Sequence, residues 1–291
     1  ASAPPSHASK DSARLPDMPE GHAIHRLAIA IEKGFAGDRI AVSSPQGRFA
    51  AAAARIDGET LLGAGAYGKH LFLDFGDERW VHVHLGIYGR LTIGVLPPSP
   101  PIGQVRMRLV GARAWADLRG AAACELVGSD ERDARLARLG PDPLRRDADP
   151  ARAWRRIHAS RAPIATLLMD QAVVAGIGNI YRAEVLFRHA VDPMLPGHDV
   201  PEPVWQAMWK DLRVLMRSGV RDGRIDTVRV AHDPATTGRE PRRDRHGGEV
   251  YVYRRAGQPC HVCGTPIATR VLAGRNLFWC PTCQPPPLHR T

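Results

Sequence analysis

The sequence predicts an α+β fold, in which an N-terminal β-sandwich with flanking helices precedes a helical domain and a zinc-finger β-hairpin. Three observations lead to this prediction. Short apolar or alternating runs, separated by glycine, proline or charge, fill residues 39–127 and are typical of strands. Apolar residues recur at helical spacing on both sides of residues 176–178, and two C-x-x-C pairs lie near the carboxyl end.

Length and charge narrow the class of protein. The 291 residues are enough for two domains of ordinary size. A formal net charge of +10 and a sequence pI of about 9.9 favour a polyanionic partner, with nucleic acid first. No apolar run approaches bilayer-spanning length, and residues 1–17 lack the hydrophobic segment of a signal peptide. We therefore expect no membrane association and a reducing cytoplasm as the location.

The start of the chain offers a nucleophile. Residues 1–17 can bury almost nothing apolar and are predicted to be a disordered extension. Met18 followed by Pro19 has the form of an initiation site. If Met18 is the start and is removed, Pro19 presents an α-amine with a pKa near ~8, against ~10.4 for lysine, and Glu20 beside it can shuttle protons. The alternative is a first-turn proline of the following helix, and this segment alone favours that alternative.

Five runs between residues 71 and 127 predict the strands of the sandwich, namely 71–75, 80–85, 91–96, 105–110 and 122–127. In the fourth run, alternation predicts Arg106 and Arg108 on a solvated face. Lys69 precedes the first run in a turn, where a lysine is usually only solvated. Ile87 and Tyr88 lie between the second and third runs, and such bulky residues at a hairpin tip indicate insertion into a partner or partial packing.

The segment 166–192 predicts two helices joined by a short turn, as in a helix-turn-helix motif. Gly176 and Gly178 permit a close backbone approach, and Asn179 is placed to cap the second helix. Because free N–H groups at a helix start attract anions, a phosphate is expected there. An ordinary antiparallel helix pair is an equal alternative. A further helix is predicted over residues 204–217, stopped by Gly219.

The carboxyl end carries the most specific pattern. Two C-x-x-C pairs separated by sixteen residues can bring four thiolates together on Zn²⁺, and a reducing location disfavours disulfides. The predicted ligands are Cys260, Cys263, Cys280 and Cys283. Residues 239–291 hold nine arginines against three acids, which predicts a footprint on polyphosphate.

In this order, the motifs resemble those of the formamidopyrimidine-DNA glycosylase and endonuclease VIII family. The resemblance runs from Met18 to Gln284, and it is closer to the endonuclease VIII branch because of the sequences PEGH at 19–22 and GIY at 86–88. The other matching segments are 68–71, 84–89, 139–143, 170–171, 174–181 and 260–284.

This resemblance implies a bacterial, nucleoid-associated base-excision repair enzyme that acts on damaged double-stranded DNA as a monomer. It implies that Pro19 attacks C1′ of the flipped nucleotide and forms an iminium, while Glu20 transfers a proton. Lys69 assists elimination of the 3′ phosphate, and Arg275 assists elimination of the 5′ phosphate. Oxidised pyrimidines and abasic sites are the expected substrates, and Zn²⁺ is the expected structural cofactor.

The same resemblance implies a DNA-binding surface. Asn179 and Arg275 pinch the phosphates around the flipped nucleotide, and Arg119 faces the opposite strand. Ile87 and Tyr88 fill the gap that base flipping leaves in the stack. The expected domains are an extension (1–17), a β-sandwich catalytic domain (18–128), a linker (129–150), a helical helix-two-turn-helix domain (151–248) and a zinc finger (249–291).

Several residues depart from the family pattern. Ala23 stands where a second glutamate is usual, and Leu277 replaces a small or hydroxyl residue. Eighteen residues precede Pro19, and a proline inside a peptide bond has no lone pair for attack. Two alternatives to an enzyme therefore stay open. One is a non-catalytic lesion- or DNA-binding relative on the same scaffold, and the other is a zinc-dependent protein-interaction module.

Overall fold

The computed structural model describes residues 19–243 and 248–286. The predicted extension over residues 1–17 lies outside the described residues, together with Met18. Among the helices of the described ranges, none combines the length and the apolar composition that crossing a bilayer requires.

The N-terminal half is built from two four-stranded antiparallel sheets and three helices. In chain order its elements are α1 (Gly21–Phe35), β1 (Ala41–Ser43), α2 (Ala50–Ala53), β2 (Gly63–Tyr67), β3 (His70–Asp74), β4 (Trp80–His84), β5 (Arg90–Val95), β6 (Val105–Val110), β7 (Ala114–Arg119), β8 (Ala123–Val127) and α3 (Ser129–Ala137).

These sheets form the predicted sandwich. One sheet has the order β1-β6-β7-β5 and the other β2-β3-β4-β8. Both contribute to one apolar core, which α1 joins through an apolar face that includes the fully buried Ile31 and Phe35. Burial of such a face is what holds an amphipathic helix on a sheet.

All five predicted strands are present, and three further strands were missed. The missed β2 reads Gly-Ala-Gly-Ala-Tyr and lacks the β-branched residues that mark a strand. The missed β7 carries Asp117 at a fully buried position, which breaks the apolar pattern. The short β1 has only three residues, too few for a periodic signal.

The prediction that Arg106 and Arg108 lie on a solvated face is wrong. Arg108 is buried and donates from Nε and Nη2 to both carboxylate oxygens of Asp117, at 2.7 and 2.9 Å. Arg106 is half-buried and donates to the carbonyls of Ala121 and Cys124. Alternation located the face correctly, but on that face two backbone carbonyls accept from the Nη atoms of Arg106 and a carboxylate accepts from Arg108.

The C-terminal half contains helices and one β-hairpin. Its elements are α4 (Pro150–His158), α5 (Ile164–Leu167), α6 (Asn179–Arg188), α7 (Glu202–Asp222), α8 (Pro234–Thr237), β9 (Ala268–Leu272) and β10 (Arg275–Trp279), with 3₁₀ turns at Gly197–Asp199 and Val230–His232. Side chains from the helices and the hairpin share a single apolar core, which includes Trp205, Leu277 and Cys280.

A buried carboxylate ties α6 to the segment before the hairpin. Glu184 is fully buried, and its two oxygens accept N–H groups from Tyr251, Val252 and Tyr253 at 2.7 to 2.9 Å. The hydroxyl of Thr227 also donates to Glu184, at 2.5 Å. These bonds satisfy the buried charge and fix the position of the carboxyl-terminal segment on the helix.

Two predicted helix boundaries are wrong. The first helix of the predicted pair is only the four-residue α5, and the chain from 168 to 178 consists mostly of turns. The later helix, α7, continues past Gly219 and ends before Gly223, which has a φ of 73°. Gly219 lies inside the helix and does not end it. Glycine is required there by close packing, because a Cβ would lie 2.5 Å from the Tyr181 hydroxyl.

The connecting segment 129–150 is ordered and includes the charged helix α3. Within it, Asp142 is fully buried and accepts hydrogen bonds from His25 and the Gly68 N–H, each at 2.7 Å. Tyr67 also donates its hydroxyl to the Gly140 carbonyl. The Gly140 N–H donates to the Gln171 carbonyl at 2.8 Å, so the segment connects the sandwich to the helical half.

Candidate active site and nucleic-acid interface

Three backbone segments meet where the two halves of the chain touch. The Gly21 N–H donates to the Gly176 carbonyl at 2.8 Å, and a Cβ on Gly21 would lie 2.8 Å from Gly176 Cα. At Gly68, with a φ of 56°, a Cβ would lie 2.9 Å from that of Ala175. Glycine at these positions lets the start of α1, the β2–β3 turn and the 175–178 elbow approach to backbone contact.

Glu20 caps helix α6. Its buried carboxylate accepts the backbone N–H groups of Gly178, Ile180 and Tyr181 at 2.9, 2.7 and 3.4 Å. The anion expected at this helix start is therefore a side chain of the protein and not a phosphate. The prediction that Asn179 caps α6 is wrong, because the N-cap residue is Gly178. A Cβ on Gly178 would lie 2.5 Å from the Glu20 carboxyl carbon.

Burial and mutual charge shift the pKa values of Glu20 and Lys69. Burial raises the pKa of Glu20, while the charge of Lys69 and the three backbone donors oppose the rise. Burial lowers the pKa of Lys69, Arg275 lowers it further, and Glu20 opposes the fall. Both groups are thus moved towards the protonation states that proton transfer near neutral pH requires.

A cavity of about 240 Å³ opens beside these groups. It brings together the predicted site residues Pro19, Lys69, Ile87 and Arg275. The other lining residues are Ile24, His84, Leu85, Gly86, Met169 and Gln171. The sequence patterns gave no site role to His84, Met169 or Gln171, although residues 84–89 and 170–171 match motifs of the family.

Gln171 shapes the elbow that closes one wall of this cavity. Its Nε2 donates to the carbonyls of Met169 and Ile177 at 3.0 and 2.9 Å, and its Oε1 accepts the Gly176 N–H at 2.9 Å. The amide group therefore bonds at both ends to backbone. We assign Gln171 to the architecture of the site and not to its chemistry.

The zinc-finger hairpin docks on the start of α6. The Asn276 carbonyl accepts Asn179 Nδ2 at 3.0 Å and Arg182 Nη2 at 3.2 Å. Arg182 is fully buried and also donates to Asn179 Oδ1, and burial lowers its pKa to about 10. These contacts hold the hairpin so that the neighbouring Arg275 lines the cavity. Asn179 is buried, does not line the cavity, and has both ends of its amide bonded within the protein, so its contact with a phosphate stays a prediction.

Four cysteines converge at the base of the hairpin. All four Sγ atoms lie within 4.8 Å of one another, with Cys260–Cys283 at 3.9 Å and Cys263–Cys280 at 3.5 Å. Tetrahedral Zn²⁺ with Zn–S bonds of ~2.3 Å requires Sγ separations of about 3.8 Å. The backbone N–H groups of Val262 and Cys283 point at Sγ atoms of Cys260 and Cys280. The cysteines are not paired as disulfides, and their geometry fits a structural zinc ion.

The β4–β5 turn exposes the two predicted gap-filling residues. Ile87 is 49 % and Tyr88 is 85 % exposed, which excludes packing of Tyr88 against the sandwich. The adjacent β7–β8 turn is made of small residues, and a Cβ on Gly120 would lie 2.8 Å from the Tyr88 carbonyl oxygen. The Tyr88 ring is therefore the largest apolar group that this edge presents to solvent.

Arg119 is less available than its predicted role requires. Its Nη2 donates to Asp117 at 2.9 Å and its Nε to the Ile102 carbonyl at 2.7 Å. Part of the basic carboxyl-terminal segment is also engaged internally, since Arg239 and Glu249 form an ion pair at 2.5 Å. A contact between Arg119 and the opposite strand stays a prediction.

Known protein families match the sandwich, the helical region and the cysteine-bearing hairpin separately. Three family profiles match, described as Formamidopyrimidine-DNA glycosylase N-terminal domain (residues 18–124), Formamidopyrimidine-DNA glycosylase H2TH domain (residues 139–230) and Zinc finger found in FPG and IleRS (residues 257–286). The last match and the cysteine geometry establish the structural zinc site.

Full-length relatives extend the match. Endonuclease 8 1 of Mycobacterium tuberculosis is 53 % identical over 271 residues, which are 92 % of this chain and 100 % of the relative. Formamidopyrimidine-DNA glycosylase of Thermosynechococcus vestitus is 34 % identical over 226 residues, covering 75 % of this chain and 77 % of the relative. Lactococcus lactis Fpg in complex with abasic-site DNA has the same fold, with a TM-score of 0.75, 23 % identity, and coverage of 92 % and 100 %.

The profile matches, the endonuclease 8 relative and the fold agree with the resemblance that the motifs predicted. The interaction-module alternative explains neither the paired glycine elbow nor the cavity that joins Pro19, Lys69 and Arg275. The chain belongs to the formamidopyrimidine-DNA glycosylase and endonuclease VIII family, on its endonuclease VIII side.

Proposed function

We propose that the protein excises oxidised bases from double-stranded DNA, with pyrimidines favoured, and cleaves the resulting abasic site by β,δ-elimination. Membership of the family makes it a DNA glycosylase and abasic-site lyase of base-excision repair. The observation that carries the residue-level proposal is the single cavity shared by Pro19, Lys69 and Arg275, with Glu20 buried next to Pro19. We further propose that it acts as a monomer at the bacterial nucleoid.

Pro19 is the proposed nucleophile, and this role requires that it is the mature amino terminus. Its secondary amine then attacks C1′, the glycosidic bond breaks, and the base leaves with a proton. Loss of the ring C–O bond opens the deoxyribose and leaves an iminium between the Pro19 nitrogen and C1′. Glu20, whose pKa burial raises, is the proposed proton-transferring acid.

Lys69 is proposed to contact phosphate and assist the first elimination, which expels the 3′ phosphate. Because burial lowers its pKa, a larger fraction of Lys69 is neutral and able to accept a proton than for an exposed lysine. The guanidinium of Arg275 stays protonated and cannot accept a proton, so this side chain suits charge stabilisation during loss of the 5′ phosphate.

The DNA-binding roles divide between clamp and wedge. Asn179 and Arg275, at the docked ends of α6 and the hairpin, are the proposed phosphate clamp, which fixes register without reading sequence. Ile87 and Tyr88 are the proposed wedge, because a flipped base leaves an apolar gap in the stack.

Borohydride trapping tests the proposed nucleophile. The chain starting at Pro19 is expected to form a covalent complex with abasic-site DNA, because its free amine gives a reducible iminium. The matched variant retains one residue before Pro19, which converts the amine to an amide and leaves every side chain in place. Equal trapping by both chains would show that another amine attacks. DNA binding without trapping by either chain would favour the non-catalytic alternative.

Substitution of the proposed clamp arginine, Arg275, should change both the DNA affinity and its dependence on salt. Arg275→Ala is expected to weaken binding to all lesions by a similar factor, about tenfold, and to reduce the slope of log K against log salt by ~0.9, because one phosphate contact is lost. Fluorescence anisotropy at several salt concentrations measures both quantities. Arg270→Ala is the control, because Arg270 lies exposed on the same hairpin and does not line the cavity. A loss restricted to one lesion would contradict a phosphate contact.

A further inference from the structure

Three histidines lie together on the outer face of the β2-β3-β4-β8 sheet. His70 is directly opposite His84 on the neighbouring strand, and Phe72 is opposite His82. The ring centroid of His70 lies 5.2 Å from that of His82 and 5.0 Å from that of His84. His84 lines the active-site cavity and Lys69 immediately precedes His70, so the cluster begins at the cavity and extends away from it.

A chain of hydrogen bonds connects this cluster to α3. Arg135 Nη1 lies 3.1 Å from His82 Nδ1, and His82 Nε2 lies 2.9 Å from His70 Nδ1. Arg135 Nη1 is also 2.8 Å from the Glu125 carboxylate, which holds the guanidinium over the sheet. Glu125 itself is 3.7 Å from His82 Nδ1, beyond hydrogen-bond distance.

The arginine determines where the protons of both imidazoles lie. A guanidinium only donates hydrogen bonds, so His82 Nδ1 must accept and carries no proton. A neutral His82 then has its proton on Nε2 and donates it to His70 Nδ1. His70 in turn carries its proton on Nε2. Protonating either ring would place two N–H groups against each other and break one of the two bonds.

The remaining donor of this chain of hydrogen bonds is His70 Nε2. Within residues 19–243 and 248–286, His70 Nε2 has no hydrogen-bond partner, and it is not one of the buried unpaired polar atoms. His70 itself is half-buried, which orders its ring without hiding this atom. An oriented N–H donor next to Lys69 is suited to an anionic oxygen.

Building on the proposed function, we propose that His70 is an additional DNA-backbone contact, which donates Nε2–H to a phosphate oxygen near Lys69 as a neutral imidazole. His82 and Arg135 are positioning residues that set its tautomer. A neutral donor contributes direction and hydrogen-bond energy without an added counterion effect, in contrast to the clamp arginine.

The charges around the cluster support a neutral pair. Burial lowers the pKa of His70 to about 3, with His84, His82, Arg135 and Lys69 acting in the same direction. Burial also lowers the pKa of His82 to about 4, where Arg135 lowers and Glu125 raises it. The titratable groups that act on His70 and His82 are therefore cationic or neutral, and Glu125 is the one acid among them.

His70→Phe tests the contact, because phenylalanine keeps the stacking on Phe72 and removes the donor. Affinity for duplex DNA carrying a tetrahydrofuran abasic analogue is expected to fall roughly tenfold, as for one hydrogen bond to a charged group, with an unchanged salt slope. The control is His158→Phe, the same substitution at an exposed histidine stacked on Trp154. Unchanged affinity, or a salt slope reduced by ~0.9, would overturn the proposal.

Arg135→Met tests the positioning role by pH. Without the guanidinium donor, His82 Nδ1 can take a proton beside Glu125, so binding of the variant is expected to strengthen between pH 7.5 and 5.5 more than that of the parent chain. Identical pH profiles would overturn the role of Arg135. If the parent chain itself fails to bind abasic-analogue DNA, the proposed function fails too, whereas equal binding by parent and His70→Phe removes only this inference.

Discussion

Glu20→Gln should lower the single-turnover rate of base release by about 10²–10⁴-fold, the range that general acid–base catalysis supplies. Glutamine is nearly the same size as glutamate but carries no transferable acidic proton. It also replaces one of the two oxygens that accept from Gly178, Ile180 and Tyr181, so one backbone N–H would face an amide N–H. Both effects act on the same reaction step.

A matched substitution lies in α1, the helix that Glu20 precedes. Glu32 also accepts a backbone N–H, from Ala64 at 2.5 Å, but it is exposed and does not line the cavity. Glu32→Gln should therefore release base at the parent rate, while trapping on preformed abasic DNA reports whether either variant still reaches the sugar. Equal base release by the two variants would exclude Glu20 as the acid.

The same carboxyl group predicts the direction of the pH dependence. Its pKa is raised by burial, so the protonated form, which is the proposed proton donor to the leaving base, persists to higher pH than for an exposed glutamate. Base release should fall as the pH rises through this folded-state pKa, because the acid is lost there. Glu20→Gln should remove this alkaline limb from the profile.

Loss of zinc should have the second large effect. Structural zinc contributes ~10–16 kcal/mol in isolated zinc-finger peptides, and here Cys280 and Leu277 are buried in the core shared with the helices. Cys280→Ala or prolonged chelation should therefore lower the Tm as well as release the hairpin that holds Arg275 and the Asn276 carbonyl. We expect DNA affinity to fall roughly a hundredfold or more, because the proposed phosphate contacts of the hairpin would be lost together.

The fifth cysteine provides the control for this experiment. Cys124 is buried in β8, in the sandwich core, and is not part of the thiolate cluster. Cys124→Ala therefore removes the same atom from the core and should leave the zinc content unchanged. It should cost only about 1 kcal/mol, as for other small truncations in cores. If chelated protein binds DNA as tightly as the zinc form, the hairpin is not part of the interface.

The sequence was most informative where chemistry demands fixed spacing. The two C-x-x-C pairs predicted the zinc site because tetrahedral thiolate geometry permits few alternatives. Alternating apolar runs predicted the strands that face the core. Pro19, Lys69 and Arg275 were chosen by resemblance to family motifs, and the structure brings all three to one cavity; their individual roles stay predictions.

The sequence was least informative where partners are distant along the chain. Nothing local indicates that Glu20 occupies the start of α6, so Asn179 was assigned the cap instead. Arg108 looked solvated because its partner Asp117 lies on a strand without a clear apolar pattern. The link from Arg135 through His82 to His70 needs three elements in register, which periodicity alone cannot supply.

The capping of α6 by Glu20 has a consequence for biosynthesis. The first N–H donor to this carboxylate, on Gly178, follows it by 158 residues in the chain. A nascent polypeptide that has completed only its sandwich thus holds Glu20, the proposed acid, without the donors that orient it. We therefore expect translation products that lack the second half to release no base, because the proposed acid would lack these donors.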